Sequence, residues 1–360
     1  MPEVYTQPKT YNLSGGIDLS FTDAGAPLSD DYTTVVILHG TAFNAYQLRK
    51  VHVYAHENNL RTVLLHQRHY AGSTPYTTDE IEDIKQGEMG FWERGSAQLA
   101  EFLNTFIKQE RIPKLTTEGR GGIAIMGWSM GVVPVLSFLA TAKNPIISID
   151  LSECLQEYIG RCILYEPPFL AFGISPPPKC PNFNPWEEPD ISPEDLPIVF
   201  SRWISSYFDH PCYDPVTKSL SISATIHDYD GRPEGPVNSI SSWTADDISK
   251  GIENDAVDVE TLKFMPSMQQ TIQELTTQAL FDNKNTQSCF PAVKVAHIFG
   301  TKTAWSIAWT ENEMWKKYQT EPRQGREMQF VEIDGWNHFA HWDYPQQFMS
   351  VVADCIYSSA

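Results

Sequence analysis

The sequence predicts an α/β fold in which a mostly parallel sheet is flanked by helices and interrupted by an inserted, largely helical lid domain. Three observations support this. Short apolar, β-branched runs alternate with amphipathic stretches in the first half of the chain, as in parallel sheets buried on both faces. The alternation stops after residue 166 and resumes near residue 291. A Gly-x-Ser-x-Gly sequence at residues 127–131 lies between a predicted strand and a predicted helix.

The elements follow one another at short intervals. Residues 91–109 carry apolar side chains at helical spacing, whereas 35–38 (VVIL) and 162–165 (CILY) are continuous apolar runs typical of buried strands. We therefore predict strands at 35–38, 61–65, 123–126, 162–165, 293–299 and 329–333, with helices at 46–58, 91–109 and 132–142.

The apolar stretch 123–140 approaches the length of a membrane-spanning helix. Gly127, Ser129, Gly131 and Pro134 fall inside it, and no basic cluster follows directly. We therefore interpret it as a buried strand, a sharp turn and a buried helix, and expect no membrane span.

The predicted insertion begins with a proline-rich segment. Ten of the 25 prolines lie between residues 167 and 197, a density that excludes a long helix or a central strand there. Helical patterns return at 198–208, 241–252 and 258–281. We predict a core domain formed by residues 1–166 and 291–360, and a lid domain formed by residues 167–290.

The charge distribution limits the partners. The chain carries 26 basic and 45 acidic residues, a net charge of −19, which disfavours binding to nucleic acid and to anionic membranes. Residues 167–290 alone carry 18 acidic and 7 basic residues. The six cysteines form no CxxC pair, so we expect free thiols and a cytoplasmic location; the alternative is a leaderless secreted form with some disulfides.

The motif at 127–131 predicts a nucleophile. Small residues two positions before and after Ser129 allow a tight turn that lifts its hydroxyl above the sheet. The helix that follows favours negative charge developing beside it. The alternative interpretation is a Gly-Ser turn in an ordinary strand-to-helix connection.

A serine nucleophile needs a base, and His338 is the candidate. It lies in the loop after the last predicted strand, in the sequence DGWNHFAHWDYP, where the chain order Ser, acid, His places the base. His341 is the competing candidate, which we expect instead to pack against the adjacent Trp342.

These features together, with the HG sequence at 39–40, resemble the α/β-hydrolase superfamily over about residues 35–352. In that superfamily the triad acid usually follows the strand after the lid, and Thr303 stands at that position here. The nearest downstream carboxylate, Glu311, is predicted too far along a helix. Glu166 lies at the end of the strand before the lid and is followed by two prolines; this placement resembles the fungal zearalenone-type lactonases. The resemblance thus implies Glu166 as the acid, the alternative being a strand-end salt bridge.

The resemblance also implies an oxyanion hole. Its donors are expected to be the backbone N–H groups of Met130 and Thr41, with Gly40 allowing close backbone approach. A substrate pocket lined by the four aromatic residues Trp128, Trp203, Tyr207 and Trp243 is a further expectation; the alternative for such aromatic residues at helical spacing is core packing.

No cofactor or metal is expected. His52 and His56, four residues apart, and His66 with His69 are the nearest approach to a metal motif, but no HExxH pattern or Cys/Asp partner accompanies them. No GxGxxG or P-loop follows a strand.

The sequence therefore predicts a cofactor-free serine hydrolase that cleaves an ester or lactone of a neutral, apolar small molecule. Epoxide and haloalkane chemistry on such a scaffold needs a carboxylate at the position of Ser129. Two alternatives remain open at this point: an acyltransferase using the same three residues, and a non-catalytic ligand-binding protein.

Overall fold

The computed structural model describes residues 7–140, 144–177, 180–320 and 325–358. Within these residues, eight strands form one sheet and two short strands form a separate hairpin. The strands are β1 (Lys9–Leu13), β2 (Ile17–Asp23), β3 (Thr33–Leu38), β4 (Leu60–Leu65), β5 (Ile123–Trp128), β6 (Ile159–Tyr165), β7 (Tyr213–Asp214), β8 (Ser219–Leu220), β9 (Lys294–Gly300) and β10 (Met328–Ile333).

The large sheet has the order β1-β2-β4-β3-β5-β6-β9-β10. The six strands β4-β3-β5-β6-β9-β10 pair with their neighbours in parallel, which confirms the predicted mostly parallel sheet. The antiparallel β1 and β2 at one edge were not predicted. Strand β5, which leads into the Gly-x-Ser-x-Gly sequence, lies in the middle of the sheet.

Helices cover both faces of the sheet, as predicted. The expected helix at 46–58 is instead a short α-helix between two 3-10 turns, and the end of the helix predicted at 132–142 lies outside the described residues. The α-helices are α1 (Val51–Ala55), α2 (Thr78–Gln86), α3 (Met89–Glu110), α4 (Val132–Leu139), α5 (Ile149–Gln156), α6 (Leu196–Ile204), α7 (Ala245–Gly251), α8 (Asn254–Leu262), α9 (Pro266–Thr276), α10 (Asn283–Ser288), α11 (Trp305–Thr320), α12 (Ala340–Asp343) and α13 (Pro345–Tyr357).

The strand side chains alternate between two hydrophobic layers because successive residues point to opposite faces of a sheet. Val36 and Ile125 belong to the layer formed with α3 and α4. Ile37 and Met126 belong to the opposite layer, which includes Phe348 of α13. Both faces of the central strands are thus dry, as expected for parallel strands. No helix among the described residues is long and apolar enough to cross a membrane.

The insertion between β6 and β9 has two parts, which pack against different surfaces of the sheet domain. Its first part, up to α7, is rich in turns and packs over the carboxyl ends of the strands. In its second part, Met268, Ile272 and Leu275 of α9 belong to the same hydrophobic cluster as α3 and α4. The Trp92 indole of α3 donates a hydrogen bond to Met268 Sδ at 3.0 Å. The domain boundaries at 166/167 and 290/291 remain a prediction.

Candidate active site

Ser129 sits at a sharp turn between β5 and α4. Its φ is +57°, and a 3-10 turn, Ser129–Gly131, connects it to the helix. A Cβ on Gly127 would lie 2.3 Å from the carbonyl oxygen of Gly131, and one on Gly131 would lie 2.4 Å from the carbonyl oxygen of Leu38. Only glycine permits these approaches, which is why the small residues flank the serine.

Glu166 is fully buried at the carboxyl end of β6, where its φ of +55° turns the chain out of the sheet. Its Oε1 accepts a hydrogen bond from the backbone N–H of Gly300 at 2.5 Å. Its Oε2 accepts one from the Thr303 hydroxyl and lies 3.1 Å from His338 Nδ1. The structure therefore brings together the predicted acid and the predicted base.

Thr303, which we did not expect to act as an acid, is a partner of Glu166. Its hydroxyl donates a hydrogen bond to the Glu166 carboxylate. Gly300 contributes in the same way through its N–H. No motif in the sequence marks either residue as a partner of Glu166, which lies more than 130 positions earlier.

His338 lies in the loop after β10 and is 1% exposed. Its carbonyl oxygen accepts a hydrogen bond from the Trp128 indole at 3.1 Å, and the two rings are 5.2 Å apart. The preceding Asn337 donates to the Ser205 carbonyl at 2.7 Å, which ties this loop to the insertion. His338 is thereby held against the residue that precedes Ser129.

Among the described residues, the hydrogen bond of the His338 ring is the one to Glu166, and Ser129 Oγ makes none with that ring. Catalytic hydrogen bonds are often long before substrate binds and shorten in the substrate complex. With Nδ1 facing Glu166, Nε2 is the nitrogen left to act on a serine hydroxyl.

His341, the competing base, is fully buried. Its ring packs 4.4 Å from the Trp128 ring, not against the neighbouring Trp342 as we expected. The difference arises because His341 lies in α12 and points inward to the sheet, where its Nδ1 is 3.4 Å from the Tyr165 hydroxyl. Burial lowers the pKa of His341 well below its ordinary value.

Glu311, the downstream carboxylate that we expected to lie too far along a helix, is in α11 beside another histidine. Its Oε2 is 3.2 Å from Nδ1 of the buried His297. Burial, together with the negative charges of Glu332 and Glu166, raises the pKa of Glu311 well above its ordinary value. Glu311 thus lies beside His297, whereas Glu166 lies beside His338.

The predicted oxyanion residues lie around Ser129. Gly40 approaches it so closely that a Cβ there would be 2.7 Å from Ser129 Cβ. Thr41 and Met130 line one cavity together with Ser129. The N–H of the next residue, Ala42, donates a hydrogen bond to the Tyr70 hydroxyl at 3.1 Å and is therefore already engaged.

A buried ion pair of the insertion reaches this loop, and it was not foreseen from the sequence. Glu260 Oε1 accepts a hydrogen bond from Lys263 Nζ at 2.5 Å, and both side chains are 5% exposed. The Thr41 hydroxyl donates to Glu260 Oε2 at 3.4 Å. The loop that carries the predicted oxyanion donor is thus bound to α8.

The cavity beside Ser129 is small and largely aromatic. Its free space is about 40 Å³, enough for a few water molecules. Of the four predicted pocket residues, Trp203 lines it. The other aromatic walls come from Phe169, Trp186, Phe200, Phe264 and Trp305.

Trp128, Tyr207 and Trp243 lie outside the lining of this cavity. Trp128 is fully buried beneath the site. The Tyr207 hydroxyl donates to Asp343 at 2.7 Å, and the Trp243 ring packs 5.1 Å from Trp342. These residues pack in the core or hold the insertion against α12. The spacing of aromatic residues in the sequence does not distinguish these roles from pocket lining.

The histidines considered as metal ligands have other surroundings. His52 is buried between two hydroxyls, with Thr22 at 3.0 Å and Thr62 at 2.7 Å, and burial lowers its pKa to about 4. His66 is also buried, with a pKa lowered to about 4 for the same reason. Within the described residues, no three His, Cys, Asp or Glu side chains are grouped so as to hold a metal ion.

Comparison with known proteins gives structural neighbours only. No protein-family model matches the chain, and no curated protein matches it. Among solved structures, it is similar to epoxide hydrolase A from Mycobacterium thermoresistibile (14% identity, 97% of this chain and 98% of that one, TM-score 0.53). It is also similar to a laboratory-evolved variant of potato epoxide hydrolase (12%, 98% and 99%, 0.54) and to an esterase from Exiguobacterium antarcticum (11%, 98% and 100%, 0.52).

Proposed function

We propose that this chain, which has the α/β-hydrolase fold of those structures, is a serine hydrolase that cleaves a carboxylic ester or lactone. One observation carries the proposal: the fully buried carboxylate of Glu166 lies 3.1 Å from His338 Nδ1 beside a strained turn that presents Ser129 to a cavity. A serine, a buried acid and a histidine, in this order along the chain, are the parts of a nucleophilic triad.

In this mechanism Ser129 Oγ attacks the carbonyl carbon and its proton passes to Nε2 of His338. Glu166 holds the imidazole in the tautomer with a proton on Nδ1 and stabilises the imidazolium. The backbone N–H groups of Met130 and Thr41 bind the oxyanion. His338 then protonates the leaving alcohol, and a water molecule, activated by the same histidine, releases the acid from the serine ester.

Ser129 itself argues against the reaction named for two of the structural neighbours. An epoxide hydrolase on this scaffold needs a carboxylate as the nucleophile, and a serine stands here instead. An ester or lactone fits a serine because the acyl-enzyme it forms is resolved by water. The apolar cavity walls and the net charge of −11 on residues 167–290 support a neutral, apolar substrate.

We further propose that residues 167–290 act as the lid. They supply most of the cavity wall around Ser129, including Trp186, Phe200 and Trp203. No disulfide joins the six cysteines, all of which lie in the described part of the chain, and this supports a cytoplasmic location.

The first experiment is labelling of the folded protein with a fluorophosphonate probe, in parallel with a panel of p-nitrophenyl esters and lactones. We expect one labelled serine and measurable hydrolysis, both lost in Ser129→Ala. The matched control is Ser242→Ala, a serine of the insertion outside the cavity lining, which should label normally. An unlabelled but folded wild type would indicate a ligand-binding protein. Product appearing only with an added alcohol would indicate an acyltransferase.

A further inference from the structure

Two neighbouring cavities lie near Ser129, and of their described linings only that of the inner cavity includes this residue. The inner cavity has about 40 Å³ of free space, far less than the several hundred Å³ of usual small-molecule sites. A second cleft with about 490 Å³ of free space lies next to it. The two share a wall, which is formed by Phe169, Leu170, Asn184, Trp186 and Phe264.

Trp186 is the central member of this wall. Its ring packs 4.6 Å from Phe200, which belongs to the inner cavity, and 5.2 Å from Phe264, edge to face. Its buried indole N–H has no hydrogen-bond partner among the described residues, whereas buried indoles usually find one. Rotation of this ring therefore breaks no hydrogen bond of its own.

The backbone beneath Trp186 is fixed, so any opening falls to the side chain. Asn184 Oδ1 accepts a hydrogen bond from the backbone N–H of Trp186 at 3.3 Å, and Asn184 Nδ2 donates to Glu187 Oε1 at 2.8 Å. The Glu187 N–H donates back to the Asn184 carbonyl at 2.9 Å. These three bonds form a turn that holds the ring between the two compartments.

The outer cleft differs in chemistry from the inner cavity. Gln270 and Gln273 are exposed on its wall and offer amide donors and acceptors. In its described lining, Glu187 is the one charged residue. This surface suits hydroxyl or amide groups and repels a carboxylate.

We propose, on the basis of the proposed function, that the substrate is a bipartite ester. Its apolar part at the scissile bond occupies the inner aromatic cavity, and a larger, uncharged part with hydroxyl or amide groups occupies the outer cleft. Trp186 and Phe264 form the constriction between them and set how bulky the connection can be.

The test compares three p-nitrophenyl esters that differ only in the acyl group: the acetate, whose acyl group is short enough for the inner cavity alone, the ester of adipamic acid, which ends in a carboxamide, and the hemi-ester of adipic acid, which ends in a carboxylate. In Trp186→Ala and Phe264→Ala, kcat/KM for the adipamate relative to the acetate should rise about tenfold. Trp309→Ala is the matched control, since its buried indole N–H also has no hydrogen-bond partner among the described residues and Trp309 lies outside both linings. Trp186→Phe and Phe264→Leu should show a smaller rise in the same kcat/KM ratio, and they replace the alanine variants if those do not fold.

The second arm tests the charge of the outer cleft. Wild type should have a higher kcat/KM for the carboxamide ester than for the carboxylate ester, and Glu187→Gln should bring these two kcat/KM values closer together. An unchanged adipamate-to-acetate ratio in every wall variant, with hydrolysis still dependent on Ser129, would overturn the two-compartment proposal. Hydrolysis that does not depend on Ser129 would instead overturn the proposed function, so the two failures are distinct.

Discussion

The Thr303 hydroxyl donates a hydrogen bond to Oε2 of Glu166, the same oxygen that lies 3.1 Å from His338 Nδ1. One carboxylate oxygen therefore receives both the threonine and the histidine, while Gly300 N–H holds the other. Such partners fix the direction of a carboxylate and thus of the ring it orients. Thr303, which follows β9, thus donates a hydrogen bond to the proposed acid at the end of the neighbouring strand β6.

Removal of this donor should lower kcat more than it changes KM. In Thr303→Val the Glu166 carboxylate keeps the hydrogen bond from the Gly300 N–H but loses the one from residue 303 at Oε2. We therefore expect kcat to fall about tenfold with KM nearly unchanged. Thr303→Ser should restore most of the rate because it restores the hydroxyl. Steady-state kinetics on one p-nitrophenyl ester measure this, and a serine variant as slow as the valine variant would contradict the assigned hydrogen bond.

Replacement of the acid itself should be far more damaging. Glu166→Gln removes the charge that stabilises the imidazolium and favours the wrong tautomer of His338, so kcat should fall about 10³- to 10⁴-fold with the fold retained by circular dichroism. Glu311→Gln is the matched control, a buried glutamate that lies beside His297 instead. If Glu166→Gln retained activity near wild type, or Glu311→Gln lost as much, the acid would have to be reassigned.

The approach of Gly40 to Ser129 gives a steric prediction. A methyl group at residue 40 would lie 2.7 Å from Ser129 Cβ and 3.3 Å from the Trp128 carbonyl oxygen, so it must displace the nucleophile. We expect Gly40→Ala to lower kcat/KM about 100-fold and the free energy of unfolding by about 1–3 kcal/mol.

The control for this variant is Gly95→Ala. Gly95 lies inside α3, and an added Cβ there meets no atom within 4 Å. Alanine should therefore raise the free energy of unfolding by about 0.5–1 kcal/mol without affecting activity. Chemical denaturation and ester hydrolysis of both variants measure these effects; full activity in Gly40→Ala would show that Ser129 tolerates displacement.

The parts of the site that follow from local rules could be predicted from the sequence. The glycines around Ser129 indicate that the backbone of one turn is too crowded for larger side chains, and the apolar runs indicate strands buried on both faces of a sheet. The edge strands β1 and β2 were missed because their alternating polar residues, as in IDLSFTD, lack such a run. They are stabilised by pairing with each other and with β4.

The cavity wall depends on tertiary structure instead. Trp186 lies in the proline-rich segment and Trp243 in a helical one, yet the first lines the cavity and the second packs against Trp342. Nothing in their local sequences separates the two outcomes. The part of Thr303 is equally non-local, because it exists only once β6 and β9 lie side by side.

Glu332 provides a prediction about stability and pH. It lies on β10, accepts a hydrogen bond from the Leu220 N–H at 2.7 Å, and has a pKa raised by burial, chiefly, and by Asp334, from 4.5 to about 7. Between these two pH values the folded protein retains a proton that the unfolded chain releases, so this group makes stability decrease as pH rises from about 4.5 to about 7.

Glu332→Gln keeps the hydrogen-bond acceptor for the Leu220 N–H but removes the charge. It should match wild type at pH 4 and exceed its free energy of unfolding at pH 8 by about 1 kcal/mol, a value reduced for solvent screening. The control is Glu327→Gln, which removes one negative charge from an exposed side chain just before the same strand and should leave this pH dependence in place. Urea denaturation at both pH values measures the difference, and parallel curves for Glu332→Gln and wild type would show that the carboxyl group titrates normally in the folded protein.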